Sequence, residues 1–290
     1  YVRKFLEWYD RDDDPWAACI NLMDAHYPYL PRDEFVTWSD NKIRGLHKEA
    51  MGGPLTTQYL GERPFWELMA SEDLYDDCIR QADAYVGKLL SALEESKELE
   101  DTLVVLTSDH GEGFGEYSPL NDSVRLIDHS WGISDEVSHV PLVVKHLGQT
   151  NHETIEAPAS LTKFPMVVRS SLEDGNTTDF VAESTGALTT SYRVEEPGDE
   201  LPLPESKRDP YFGPWHALCH KVGNDVVVDA MRRSDHVRYF PSRTVSSPSS
   251  ASGRETIETV VKNLTPADMT NDSRDIGTEV QERLNQLGYV

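Results

Sequence analysis

Two short stretches hold the side chains best suited to chemistry. Thr107-Ser108-Asp109-His110-Gly111-Glu112 follows the apolar run 102–106 (TLVVL), and Asp24-Ala25-His26 follows 16–23 (WAACINLM). Asp109 and His110 are adjacent where a turn can aim both at one point. A carboxylate and an imidazole are a hard and a borderline ligand for a divalent cation. The alternative is a capped turn in which Asp109 accepts backbone amides. Gly111 would let the backbone come close to a bound ion or oxyanion.

Both stretches need elements behind them that end at one edge. Residues 3–9 read as the end of a helix, and 16–23 as a buried strand of parallel type. Pro28 and Pro31 forbid its continuation. Residues 32–70 read as loop and short helices, broken at Gly52-Gly53-Pro54. Ser71 is placed to cap a long helix whose first turn carries Glu72 and Asp73. Leu74, Cys78, Ala82, Tyr85, Leu89 and Leu93 recur along it at helical spacing, a wide apolar stripe.

The runs 102–106 and 140–144 (VPLVV) read as further core strands, followed by a helix at 160–172 and a strand at 179–183. This is the rhythm of a doubly wound α/β sheet, in which ligands bind at the carboxyl ends of strands. A boundary falls near residue 190. Beyond it, 216–231 reads as a hairpin around Gly223-Asn224-Asp225 and 237–240 as a strand. Residues 244–254 are a Ser/Pro-rich loop, and 276–287 read as an amphipathic terminal helix.

Composition narrows the partners. Among 290 residues, 51 are acidic and 27 basic, a net charge of −24. Such a chain repels phosphate backbones, so nucleic acid is excluded as a partner. Ten lysines against 17 arginines, on an acidic background, suggest adaptation to high salt; an ordinary acidic enzyme is the alternative. No apolar run approaches the ~20 residues of a membrane helix. Cys19, Cys78 and Cys219 show no CxxC spacing, which argues against a cysteine-based zinc site. No signal peptide is visible, so a soluble, cytoplasmic protein is expected, although an opening on Tyr1 suggests that the natural N-terminus is missing. The sequence does not fix an oligomeric state.

The stretch 102–116 (TLVVLTSDHGEGFGE) closely resembles the second metal-ligand segment of the sulfatases, in the alkaline-phosphatase-like superfamily. The resemblance extends to 74–102 as the helix before it, to 21–31 (NLMDAHYPYLP) as a strand and histidine loop, and to 129–144 (HSWGISDEVSHVPLVV) as the run after it. Together these cover roughly residues 1–185. The resemblance implies an incomplete alkaline-phosphatase-like sandwich, a mostly parallel sheet with flanking helices, over residues 1–190. Residues 191–290 would form a small C-terminal antiparallel α+β subdomain.

It further implies roles for single residues. Asp109 and His110 would be ligands of one divalent cation, Ca²⁺ in a sulfatase. His26 would contact the ester and protonate the departing alcohol, a task suited to a side chain that titrates near neutrality. The alternative for His26 is packing among Tyr27, Pro28 and Tyr29. His129 would stand as a second basic group facing the sulfate, and Glu112 would support the metal ligands. His216, His220 and Lys221 could reach a pocket from the C-terminal subdomain, or lie in a solvated hairpin.

The family's formylglycine nucleophile, formed from Cys or Ser in a C/S-x-P-x-R motif, is expected on a segment preceding these. No cysteine of this chain is followed by that motif. The function implied is metal-dependent hydrolysis of a small-molecule or saccharide sulfate ester. The alternatives are a phosphonate or phosphate ester hydrolase of the same superfamily and an inactive truncated product. Ca²⁺ asks for about six to eight oxygens, so two ligands cannot hold it alone.

Overall fold

The computed structural model describes residues 2–9, 15–61, 63–173, 179–182, 185–192, 201–241, 246–247 and 251–264. Helix α1 (Val2–Tyr9) comes first; residues 15–23 have no regular secondary structure, and the 24–32 loop follows. Three short helices follow, α2 (Asn41–Ala50), α3 (Leu55–Gly61) and α4 (Phe65–Ala70), and then the long α5 (Glu72–Glu95). The break at Gly52-Gly53-Pro54 separates α2 from α3, as the sequence predicts.

Helix α5 does not begin as expected. Ser71 has helical backbone angles, and its hydroxyl donates to the Leu68 carbonyl at 2.6 Å. Because α4 runs almost directly into α5, that hydroxyl closes the preceding helix and does not cap the next one. The apolar stripe is otherwise present: Leu74, Cys78 and Leu93 are buried, and Asp77 and Gln81 are buried beside them.

Strand β1 (Val104–Thr107) ends at the Asp109 turn. A hairpin follows, β2 (Gly113–Ser118) and β3 (Asn121–Asp128), where the sequence suggested only loop. Then come the single turn of α6 (Asp135–Ser138), β4 (Leu142–Lys145) and α7 (Phe164–Glu173). Beyond residue 185, β5 (Ala187–Ser191), β6 (Trp215–Val222), β7 (Asp225–Arg232), β8 (Asp235–Tyr239) and β9 (Ser246–Ser247) form one sheet in sequence order, with α8 (Ala251–Lys262) packed on β6 and β7. The 216–231 hairpin and the strand after it match expectation. Helix α8 starts inside the stretch read as Ser/Pro loop, and the helix expected at 276–287 lies outside the described residues.

The chain is a mixed α/β protein, but the strand arrangement differs from the one expected. Among the described residues every ladder is antiparallel, including β1 with β4. Parallel strands need a crossover, usually helical. Between β1 and β4 the chain instead makes a hairpin and the single turn of α6, and it returns in the opposite sense. Residues 16–23 pair with nothing in a ladder among the described residues, and Ala17, Ala18 and Cys19 are exposed. With only Ile20 β-branched, that run has little of the side-chain character that favours strands. Of the strand expected at 179–183, the described residues 179–182 contribute a single bridge, Val181 with Ala159.

One apolar core joins the helical half to the C-terminal sheet, running through Tyr29, Leu68, Leu74, Phe114, Leu126, Ile127, Trp131, Trp215 and Ala230. Trp131 meets Tyr211 edge-on at 4.9 Å, an arrangement that aromatic quadrupoles favour. No helix among the described residues is long and apolar enough to cross a membrane.

Candidate metal and ester site

Strand β1 delivers Asp109 and His110 at its carboxyl end. The turn is held by its own backbone: the Ser108 hydroxyl donates to the His110 carbonyl at 2.6 Å, and the His110 amide donates to Asp109 Oδ1 at 3.2 Å. His110 Nδ1 lies 2.7 Å from the Gly111 carbonyl. A carbonyl only accepts, so Nδ1 carries the proton and Nε2 keeps its lone pair for a ligand, as in metal-binding histidines. That Nε2 sits 3.8 Å from Asp109 Oδ2, too far for a hydrogen bond. It is, however, a spacing that two donors of one cation adopt when each bond is about 2.0–2.6 Å. The pair therefore fits the cation that the sequence leads one to expect.

Gly111 is required for a different reason from the one anticipated. A Cβ there would lie 2.0 Å from the Glu136 carbonyl oxygen. The Gly111 amide donates to Val137 O at 2.8 Å, and that of Glu112 to Glu136 O at 3.0 Å. The close approach is to the backbone of α6, which pins the ligand turn from behind.

The β2–β3 hairpin brings a second Asp-His pair to the same place. Gly113 lies opposite Asp128, and a Cβ on Gly113 would fall 2.8 Å from Leu126 Cβ, so glycine permits the close approach. At Asp128 the chain turns left-handed (φ 59°), a conformation aspartate tolerates better than most residues, and β3 ends there. The His129 ring then stacks on that of His110, with centroids 3.7 Å apart.

Charge in this corner is unevenly shared. Burial, then the charge of Asp128, pushes the Glu112 carboxyl up to about 9, so it is protonated at neutral pH. Burial would also raise Asp128, but the hydrogen bond and charge of His129 outweigh it and Asp128 is held below its usual value. His129 is raised in return, chiefly by its short hydrogen bond to Asp128. One oxygen of each carboxylate and an imidazole nitrogen of His129 lie within 4.8 Å of one another.

The histidine loop covers this corner through its tyrosines. Asp24 accepts from the Gln81 side chain, and Gln81 Oε1 accepts from the Arg32 amide at 2.9 Å. The Tyr29 amide donates to His47 Nε2 at 2.9 Å. His47 is neutral, its pKa lowered to about 4 by burial, and its ring stacks against Tyr29. Tyr29 in turn lies against Phe114, and its phenol is raised well above its usual pKa, first by burial and then by the neighbouring Glu112 and Asp128. His26 is exposed, and its Nδ1 donates to the Tyr27 carbonyl at 2.6 Å. It has no hydrogen bond, ion pair or ring contact with Asp109, His110 or His129.

The structure thus joins Asp109, His110 and His129 and leaves His26 apart. It adds Asp128, Tyr29 and His47, which sequence reasoning missed; the repeated Asp-His at 109–110 and 128–129 was the available signal for the first. Of the C-terminal candidates, Lys221 is exposed and the two histidines are engaged elsewhere. His216 is buried, with Nδ1 3.0 Å from the Thr190 hydroxyl, and His220 Nε2 lies 2.7 Å from Asp229. Neither lies in a solvated hairpin.

Against known proteins, the profile of the family described as Sulfatase matches residues 1–179. Among curated relatives, the chain is 31% identical over 86 residues to a multifunctional alkaline phosphatase superfamily protein, PehA, of Trinickia caryophylli, covering 30% of this chain and 15% of that protein. It is 24% identical over 173 residues to an uncharacterized sulfatase, YidJ, of Escherichia coli K12, covering 54% of this chain and 31% of that one. It is 26% identical over 125 residues to arylsulfatase K of Gallus gallus, covering 43% of this chain and 22% of that one. The chain thus spans less than a third of the length of each.

Proposed function

Because this chain belongs to the sulfatase family, we propose that it supplies the cation grip and the positively charged wall of a sulfate-ester hydrolase. The reaction is R–O–SO₃⁻ + H₂O → R–OH + HSO₄⁻. Asp109 Oδ2 and His110 Nε2 would hold a divalent cation, Ca²⁺ by family likeness, with further ligands beyond these two. Bound there, the ion would neutralise charge on the sulfate oxygens.

The chain's own residues have separate tasks. His129, held by Asp128 with its pKa raised, presents a positive charge beside His110 where an anionic ester would sit. His26, exposed on its loop with Nδ1–H tied to the Tyr27 carbonyl, would act as the imidazolium and give its Nε2 proton to the departing alcohol. Glu112 and Tyr29 close the site from behind. No residue of this chain is assigned as nucleophile. The observation carrying the reading is the free Nε2 of His110, 3.8 Å from Asp109 and flanked by the stacked ring of His129.

The match to the multifunctional superfamily protein supports a second reading, in which the ester is a phosphonate or phosphate. One assay separates the two. Expressed from its complete reading frame, the protein should cleave p-nitrophenyl sulfate faster than p-nitrophenyl phenylphosphonate, and Asp109→Ala should abolish cleavage. Undiminished turnover in Asp109→Ala would overturn the assignment, and preference for the phosphonate would select the second reading.

A further inference from the structure

We infer that Glu112, Asp128 and His129 form a cation site of their own, distinct from the Asp109–His110 pair, and that it takes a transition-metal-like divalent ion such as Mn²⁺ or Zn²⁺ in preference to Ca²⁺. The three donors lie within 4.8 Å of one another. Ligand atoms around one ion with bonds of about 2.0–2.2 Å stand at most about 4.4 Å apart, so the three donors need to close by no more than a few tenths of an ångström. The fold enforces the cluster: pairing of Gly113 with Asp128 sets Glu112 beside the last residue of β3, and a side chain at 113 would push the strands apart.

A second observation points to a missing ligand. Tyr29 is 1% exposed, and its hydroxyl lies within reach of Glu112 but is not aligned for a hydrogen bond to any described residue. Glu112 Oε1 is buried and likewise lacks a partner. So does the hydroxyl of Tyr27, whose phenol feels the charge of Asp128. Buried polar atoms are nearly always satisfied, and an ion or its water is a standard reason when they are not. Here two phenol hydroxyls and one oxygen of the carboxyl pair itself meet at the same spot. An ion between them would occupy Glu112 Oε1 and leave the phenols to hold its water.

The donor chemistry selects the ion. Ca²⁺ prefers an all-oxygen shell with many ligands, whereas two carboxylates with one imidazole suit Mn²⁺ or Zn²⁺. The inference does not depend on the sulfate-ester reading. It bears on it in one respect: with an ion bound, the positive charge that His129 offers the ester is carried by the ion that His129 holds.

The test uses the 290-residue protein, stripped with EDTA and titrated with Mn²⁺ by calorimetry and electron paramagnetic resonance. In the Asp109→Asn, His110→Asn double variant, which removes the other pair at a partly exposed turn, one Mn²⁺ should still bind, with nitrogen coupling from one imidazole. Glu112→Gln in that background should weaken it by about tenfold or more, and Tyr29→Phe by less. Absence of Mn²⁺ binding in the double variant, or equal affinity with and without Glu112→Gln, overturns the proposal. Failure of the Asp109–His110 reading looks different: the double variant would bind as many ions as the wild type.

Discussion

His110 and His129 stack with ring centroids 3.7 Å apart and planes 27° from parallel, although one follows β1 and the other follows β3. Each is oriented from its far side, His110 by the Gly111 carbonyl and His129 by Asp128. Two imidazoles this close cannot both carry full charge cheaply, because like charges at contact repel strongly even at intermediate dielectric. The pair is therefore divided: His110 offers a lone pair, and His129 carries the proton that Asp128 stabilises.

That division predicts unequal consequences. In the complete gene product, His110→Ala removes a ligand and should lower metal-dependent ester cleavage by more than about 100-fold, and added cation should recover part of the loss. His129→Ala leaves the Asp109–His110 pair and should lower turnover with little rescue by cation. Turnover measured across a cation titration separates them. Equal rescue of both variants would mean that the two rings have the same job.

How much of this was legible beforehand follows from the range of the interactions. The Asp109-His110 turn, the long helix and the 216–231 hairpin depend on local spacing, and all three are present. The β2–β3 hairpin was missed because glycines at 113 and 115 look like loop; Gly113 is needed there for a strand crossing that only tertiary structure reveals. Residues 16–23 failed as a strand because a strand is a property of a pair, and a single sequence shows apolar character without the partner. Asp128 was passed over for the same reason, since its importance comes from Gly113 opposite and His129 beside it. His47 carries no local signature at all; only the folded chain puts its Nε2 under the Tyr29 amide.

The turn that carries the ligands also predicts a sensitive glycine. A Cβ at Gly111 would sit 2.0 Å from Glu136 O, a backbone atom that already accepts from the Glu112 amide. Two adjacent bonds hold this stretch, Glu112 N–H to Glu136 O and Gly111 N–H to Val137 O, so Gly111→Ala must displace α6 or the Asp109–His110 turn. Overpacking of this kind costs about 1–3 kcal/mol. Cation affinity should fall together with the urea midpoint. A variant with wild-type values for both would show that α6 yields freely.

Asp77 anchors the segment after the histidine loop to α5. Fully buried, it accepts from the amides of Thr37, Trp38 and Ser39 at 2.8, 3.1 and 3.1 Å, and from the Ser39 hydroxyl at 2.5 Å. Burial alone would raise its pKa, but these donors outweigh it and hold the carboxyl below its usual value. Asp77→Ala orphans several buried donors at once and should cost about 2–4 kcal/mol in chemical denaturation, whereas Asp77→Asn keeps part of the network and should cost less. If both variants matched the wild type, the loop would be held by Gln81 and His47 alone.

The charge balance gives a prediction for the whole molecule. At −24 the folded chain repels itself, and raising salt from 0.1 to 1 M shortens the screening length from about 10 Å to about 3 Å. The melting temperature should therefore rise by several degrees as NaCl increases over that range. A flat or falling melting temperature would mean that the acidic groups are spaced widely enough not to interact.

The C-terminal sheet is tied together at Asp229, which is fully buried on β7. It receives Arg238 through Nε at 2.9 Å and a second guanidinium nitrogen at 2.7 Å, and His220 Nε2 lies at 2.7 Å. Burial opposes the charged form, but the His220 and Arg238 partners prevail and bring the Asp229 carboxyl down to about 2. A depressed folded-state pKa contributes stability that is complete above the unfolded value, near 4, and is lost as pH falls toward about 2. Wild type should thus lose stability over that window by more than Asp229→Asn does, and the difference between their unfolding free energies isolates this group from the other carboxylates. The same carboxylate meets α8, where a Cβ on Gly253 would lie 2.3 Å from Asp229 Oδ1. With Arg238 and His220 fixing that oxygen pair, the carboxylate cannot step aside, so Gly253→Ala should lift α8 from the sheet and shift the neutral-pH midpoint while narrowing the acid-sensitive difference. Parallel pH curves for Gly253→Ala and wild type would mean that the helix moves without disturbing the Asp229 cluster.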